Sequence, residues 1–230
     1  MNIDPKKLSQ VVNLLNEKAC VKQRVYRNML QFFGKMKDTA NVLVEDLTDK
    51  ITGLDRTVEV KYDEIGQFEF HVKLSGDLVV FSMHSNAVTF PENHILTNND
   101  YILEDPRRKY FGALMVYNFL ADSIKYRRVY DEGYLIARMY VNFENHFYIE
   151  GVRQLNFLYP DIKTNVLTDS IFSEFLESTF IASMDNDSIM PAYEAEKTIT
   201  VGQKLNQSMI GRVEKVGFVM SSDEHKDIID

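Results

Sequence analysis

Cysteine is nearly absent: Cys20 stands alone in 230 residues, so no intrachain disulfide can form and no zinc finger can be assembled. A reducing cytosol is the compartment that fits. Glycine is sparse at 10 residues, and neither GxGxxG nor a phosphate-loop pattern occurs, which argues against phosphates cradled on a glycine-rich loop. GxSxG is missing, as are HxH and HExxH, and His71, His84, His94, His146 and His225 show no i, i+4 metal spacing. No metal or cofactor is therefore implied. No uncharged apolar run reaches the roughly 18 to 20 residues that span a bilayer, so a membrane is not an expected partner. Asp4, Pro5, Lys6 and Lys7 stand where a signal peptide would need its apolar stretch.

Charge is plentiful but lopsided. With 26 Lys and Arg against 34 Asp and Glu the net charge is −8, which opposes nucleic acid as a partner. Residues 106–153 nonetheless hold eight basic and five acidic side chains, whereas the chain beyond 160 holds six and 13. A mildly basic, tyrosine-rich middle thus precedes an acidic C-terminal third.

Asp4 before Pro5 marks a helix start, because the carboxylate can accept from free backbone N–H groups and proline forfeits a donor that had no partner. Leu8, Val11, Val12, Leu15, Ala19, Val25, Met29, Phe33, Met36, Ala40, Leu43, Leu47 and Ile51 then recur at steps of mostly three and four. Lys18 and Lys22 interrupt the stripe, and Gly34 is a candidate break. An unbroken helix of some 45 residues would be roughly 68 Å long. Either it folds back near residues 18–24 or 34–38, or its uncovered length packs on a second copy as a coiled coil.

The period becomes two after Gly53. A loop over Glu64-Ile65-Gly66 would place Tyr62 opposite Phe68 and Val60 opposite Phe70, and a two-residue Ser75-Gly76 turn would pair Val72 with Val79 and Phe70 with Phe81. Residues 85–106 read as irregular connection with a short strand at 87–90, and 111–121 as a strand apolar on every side. A further hairpin joins 134–143 to 147–152 through Glu144-Asn145-His146, with Leu135, Ala137, Met139, Val141 and Phe143 on the apolar face. A helix covers 169–184 behind a Thr168 or Asp169 cap. Residues 185–197 read as loop, 199–216 as a strand or weak helix, and 221–230 as an acidic tail. The expected fold is α+β: a long N-terminal helix or helical hairpin over 1–52 serving oligomerisation, and one domain over 53–220 with an antiparallel meander of five to seven strands.

The polar face of the late hairpin carries the candidate site. That register sets Tyr140 opposite Glu150 and Asn142 opposite Tyr148, with Arg138 one step along and Arg153 just past Gly151, breaking the polar alternation. Cation, carboxylate, amide and phenols there suit an anionic small ligand, including a phosphate-bearing one, or an acidic protein partner. The bland alternative is an Arg138–Glu150 ion pair on a solvated sheet. The functional expectation is a non-enzymatic binding or adaptor module, dimeric through the N-terminal helix. Two alternatives stand beside it. A hydrolase-like enzyme would use Arg138 and Arg153 to neutralise substrate charge and Glu150 or His146 as acid or base, and needs Glu150 and a histidine to meet at one concave site. Single-stranded nucleic-acid binding needs Arg107-Arg108-Lys109-Tyr110 and Lys125-Tyr126-Arg127-Arg128 on one surface.

Overall fold

The computed structural model describes residues 4–185, with short pieces at 188–189, 197–198, 200–202 and 219–220. The first element runs without a turn from α1 (Pro5–Leu14) through a π-helical stretch (Leu15–Cys20) into α2 (Val21–Thr52). Asp4 caps it by accepting from the Lys6 N–H at 2.9 Å. The expected alternatives thus separate: the chain does not fold back at 18–24 or 34–38, and Gly34 sits inside the helix. The π stretch, one residue per turn wider than an α-helix, falls where Lys18 interrupts the apolar stripe.

Six strands follow, β1 (Val60–Gly66), β2 (Glu69–Leu74), β3 (Asp77–Met83), β4 (Phe111–Leu120), β5 (Tyr134–Asn142) and β6 (Phe147–Gly151), paired antiparallel in sequence order. The architecture is α+β, a long helix on an antiparallel meander. The Ser75-Gly76 turn gives the expected pairs, Val72 with Val79 and Phe70 with Phe81. In the first hairpin Tyr62 pairs with Val72 and Val60 with Leu74, not with Phe68 and Phe70. The strand continues through Gly66, the turn falls at Gln67-Phe68, and Ile65 bulges out of the ladder. The displacement is an even number of residues, so Tyr62 and Val60 keep their expected face.

α2 and α5 (Asp169–Met184) lie on one side of the sheet. Val25, Met29, Phe33, Met36 and Ala40 of α2 and Phe175 and Leu176 of α5 are buried there against Phe70, Phe81, Leu114, Met139 and Phe147. Gly112 explains how closely α2 approaches: a Cβ at that position would sit 2.0 Å from Met29 Cγ. A second bulge, between Val116 and Tyr117 on one side and Ala137 and Leu135 on the other, leaves Ile136 without a partner on β4. It corrects the expected apolar face at its first position, since Ile136 is buried at 1% exposure while Leu135 is turned outward at 38%.

The 84–110 connection covers the outer face of β4–β6. It holds a single bridge, Val88 to Phe111, in place of the expected short strand, then a 3-10 turn (Ile95–Asn98), α3 (Asp100–Glu104) and a second 3-10 turn (Pro106–Lys109). Its Leu96, Tyr101 and Ile102 bury against Phe111, Ala113 and Tyr140, forming a small second core. After β4 comes α4 (Ala121–Lys125). Within the expected 185–197 loop, β7 (Ser188–Ile189) pairs with β8 (Val219–Met220). Most of 199–216, and the 221–230 tail, lie outside the described residues. No described helix is long and apolar enough to cross a membrane.

Candidate functional site

The late hairpin forms, but two residues away from the expected register. Arg138 faces Glu150 and Tyr140 faces Tyr148, so Tyr140 is not opposite Glu150 and Asn142 is not opposite Tyr148. The reason lies in Asn142. Its Oδ1 accepts from the N–H groups of Glu144 and His146, each at 3.0 Å, and its backbone N–H donates to the His146 carbonyl at 2.9 Å. The loop is therefore Phe143-Glu144-Asn145, with Asn145 at φ 66° in the left-handed position that ends a three-residue hairpin loop. An asparagine at that third position was the sequence signal for the correct register.

The face is also less open than a solvated sheet. Tyr140 is 7% exposed and Asn142 fully buried, because the 84–110 segment lies across them. Phe90 meets the Tyr140 ring edge-on at 4.7 Å and stacks on His94 at 4.0 Å. Glu150 is the hub: Arg138 Nη2 reaches Oε2 at 2.7 Å, the Tyr140 hydroxyl donates to the same oxygen at 3.3 Å, and His94 Nε2 lies 3.1 Å from Oε1. His94 Nδ1 accepts from the Leu96 N–H at 3.2 Å, so Nε2 carries the proton and donates to Glu150. Burial, with the Glu150 charge second, pushes the Tyr140 phenol up to about 12 and raises Tyr148 in the same direction. Both remain neutral donors at physiological pH. Arg138 is the open member, its side chain 44% exposed.

Beside this hub is a network that the sequence did not reveal. The Tyr101 hydroxyl donates to Glu144 Oε2 at 2.6 Å and accepts from Asn142 Nδ2 at 2.8 Å. Arg108 adds Nε to the same Glu144 oxygen at 2.7 Å and lies 4.2 Å from the Tyr101 ring centre. Burial alone would raise the Glu144 carboxyl, but hydrogen bonds from Tyr101 and Arg108 outweigh it and hold it below the ordinary range. Burial and the bond to Glu144 raise the Tyr101 phenol. His94, Tyr101 and Arg108 come from a segment without periodicity, so only their being polar or aromatic in a long connection marked them.

Arg153 lies past the end of β6 and opens a 3-10 turn over Arg153–Asn156. The histidine that meets Glu150 is His94, whereas His146 stacks on Tyr101 at 4.6 Å and bonds the Ile162 carbonyl through Nδ1. The two basic clusters flank opposite ends of the ten-residue β4, roughly 30 Å apart. Arg107 is paired with Asp105, and Arg108 with Glu104 and Glu144. Among the described residues no three His, Cys, Asp or Glu side chains could hold a metal ion together. Compared with known proteins, the chain matches no family model, no curated protein and no solved structure.

Proposed function

We propose that this protein is a non-enzymatic binding or adaptor module of the cytosol that works as a parallel homodimer, joined through Pro5–Cys20. One observation carries the reading: Leu8, Val11, Val12 and Leu15 are between 51 and 55% exposed on a helix with no buried residue, continuous with one that is anchored in the core. An isolated helix of this length is marginal in water, so packing against a partner would stabilise both its apolar stripe and its helicity. The expected oligomerisation segment over 1–52 narrows accordingly, since α2 covers the sheet of its own chain.

A second copy suits the stripe. Within α1, at about 100° per residue, Lys7 falls on one flank of the stripe and Ser9 and Asn13 on the other. Parallel helices place the flank of one against the opposite flank of its partner, so lysines meet neutral side chains. Antiparallel helices would turn the two Lys7-bearing flanks toward each other. The recognition surface of the module is the open part of the outer face, where exposed Arg138 adjoins Tyr148 and Glu150, with Arg153 nearby in sequence, and where an anionic ligand or acidic partner would gain a charge-assisted contact. The hydrolase alternative draws less support, because both ring nitrogens of His94 and both oxygens of Glu150 already have partners. Separation of the basic clusters likewise weighs against nucleic acid.

Cys20, the sole cysteine and exposed, makes the test direct. A spin label there, read by pulsed dipolar spectroscopy on the full chain, should report two helices with axes about 10 Å apart. An antiparallel pair centred on Val11 and Val12 would separate the labelled positions by about 25 Å and refute the parallel arrangement. Absence of dipolar coupling at all protein concentrations would refute the dimer. Val11→Lys should abolish the coupling and remove any dependence of the melting temperature on protein concentration.

A further inference from the structure

Between the start of α2 and the covering segment lies a hollow of 520 Å³, a volume ordinary for small-molecule sites. Leu96, Ile102 and Phe111 form its buried wall, Phe90 is half-buried there, and Leu103 stands exposed at its edge. Two cations stand over the apolar lining. Lys22 comes from α2 and Lys109 from the residue pair before β4, and their Nζ atoms lie 5.2 and 5.6 Å from the Tyr110 ring centre.

These lysines are unlike their neighbours. Arg107 and Arg108 are each tied to a carboxylate, whereas among the described residues neither Lys22 nor Lys109 has an ion-pair partner. Both side chains are exposed, and in a chain of net charge −8 they set a local positive charge beside one apolar concavity, where an anion would be favoured. Among the described residues Glu92 is the single carboxylate in the lining, so these residues give the wall one net positive charge. That balance matches a monoanion rather than a phosphate or a polyphosphate, and the apolar wall asks the anion to bring a hydrocarbon body. The exposed stripe of α1 is apolar too, but it lies on the convex surface of a helix and encloses no such hollow.

We infer that this hollow binds a free amphipathic monocarboxylate, with a hydrocarbon body of roughly eight to ten carbons against Phe90, Leu96, Ile102 and Phe111 and its carboxylate between Lys22 and Lys109. The site adjoins the Arg138 face through Phe90, which also packs on Tyr140 and His94, and does not depend on the dimer. Each additional methylene buried should tighten binding by roughly fourfold.

Titration calorimetry of the full chain with hexanoate, octanoate and octan-1-ol tests this. Octanoate should bind more tightly than hexanoate and more tightly than octan-1-ol, and rising salt should weaken both carboxylates but not octan-1-ol. Lys22→Gln combined with Lys109→Gln should weaken octanoate at least tenfold and leave octan-1-ol unchanged. Leu103→Glu, a change at an exposed position, should weaken octanoate as well. Val11→Lys, which breaks the proposed dimer, should leave octanoate binding intact, so the two proposals fail independently. Equal affinity for octanoate and octan-1-ol, no effect of the double lysine variant, or no binding of octanoate at all would overturn the inference. Co-sedimentation with phosphatidylglycerol vesicles in place of octanoate binding would overturn it too, by assigning the lysines to a lipid surface.

Discussion

Replacing Tyr101 by phenylalanine removes one oxygen atom and leaves two polar groups to find new partners. The hydroxyl donates to Glu144 at 2.6 Å and accepts from Asn142 Nδ2 at 2.8 Å. Glu144 is partly open to solvent and keeps its bond from Arg108, so its loss is modest. Asn142 is fully buried, and its amide N–H would face a benzene edge. An orphaned buried donor costs about 1–3 kcal/mol, and the ring itself keeps its stacking on His146 and its contact with Arg108. For a chain of this size that corresponds to a fall of about 3–9 °C in Tm. Urea denaturation of Tyr101→Phe should show a lower midpoint with an unchanged slope. In an Asn142→Ala background, the same substitution should lose most of its effect, because the orphan no longer exists. A loss below about 0.5 kcal/mol in the otherwise native protein would show that the Tyr101–Asn142 bond does not hold the covering segment to the hairpin, and the account of the second network would fall.

The remaining predictions concern the bulge and the acid limb of stability. Ile136→Ala should cost about 2–5 kcal/mol, as for a fully buried aliphatic, whereas Leu135→Ala should stay within about 0.5 kcal/mol; the reverse ranking in denaturation would remove the β5 bulge. Because the folded protein holds the Glu144 carboxyl below its ordinary 4.5, the stability this group contributes is present above pH 4.5 and lost as pH falls through the lower folded value. Melting curves from pH 6 down to 2 should therefore steepen below 4.5 in the native protein and flatten in Glu144→Gln, and parallel curves for the two would refute the linkage.

Much of the fold could be read from residue spacing. The helix start at Asp4-Pro5, the meander, the strand over 111–120 and the helix over 169–184 all follow from local chemistry: a cap, a two-residue period, a turn dipeptide, a 3.6-residue stripe. Faces were legible as well, except at Leu135, which the β5 bulge turns outward, because an even slip in register returns a side chain to its own side and both misplaced hairpins slipped by even numbers. Registers were less legible. They depend on which loop atoms find partners, and Asn142 and Ile65 decided that by a side-chain bond in one case and a bulge in the other.

The candidate site divides along the same line. Sequence alone determined that Arg138, Tyr140, Tyr148 and Glu150 share one face of a hairpin, since alternation is a property of the extended backbone. It also determined that the first helix carries more apolar stripe than a small core needs. Only the tertiary structure decided that the face is roofed by residues 84–110, that His94 and not His146 meets Glu150, and that Lys22 and Lys109 stand together over an apolar hollow. Those arrangements join residues many positions apart through an aperiodic connection, and no local rule carries the position of such a segment; it settles where burial of Phe90, Tyr101 and Ile102 and the pairing of their polar neighbours are satisfied together.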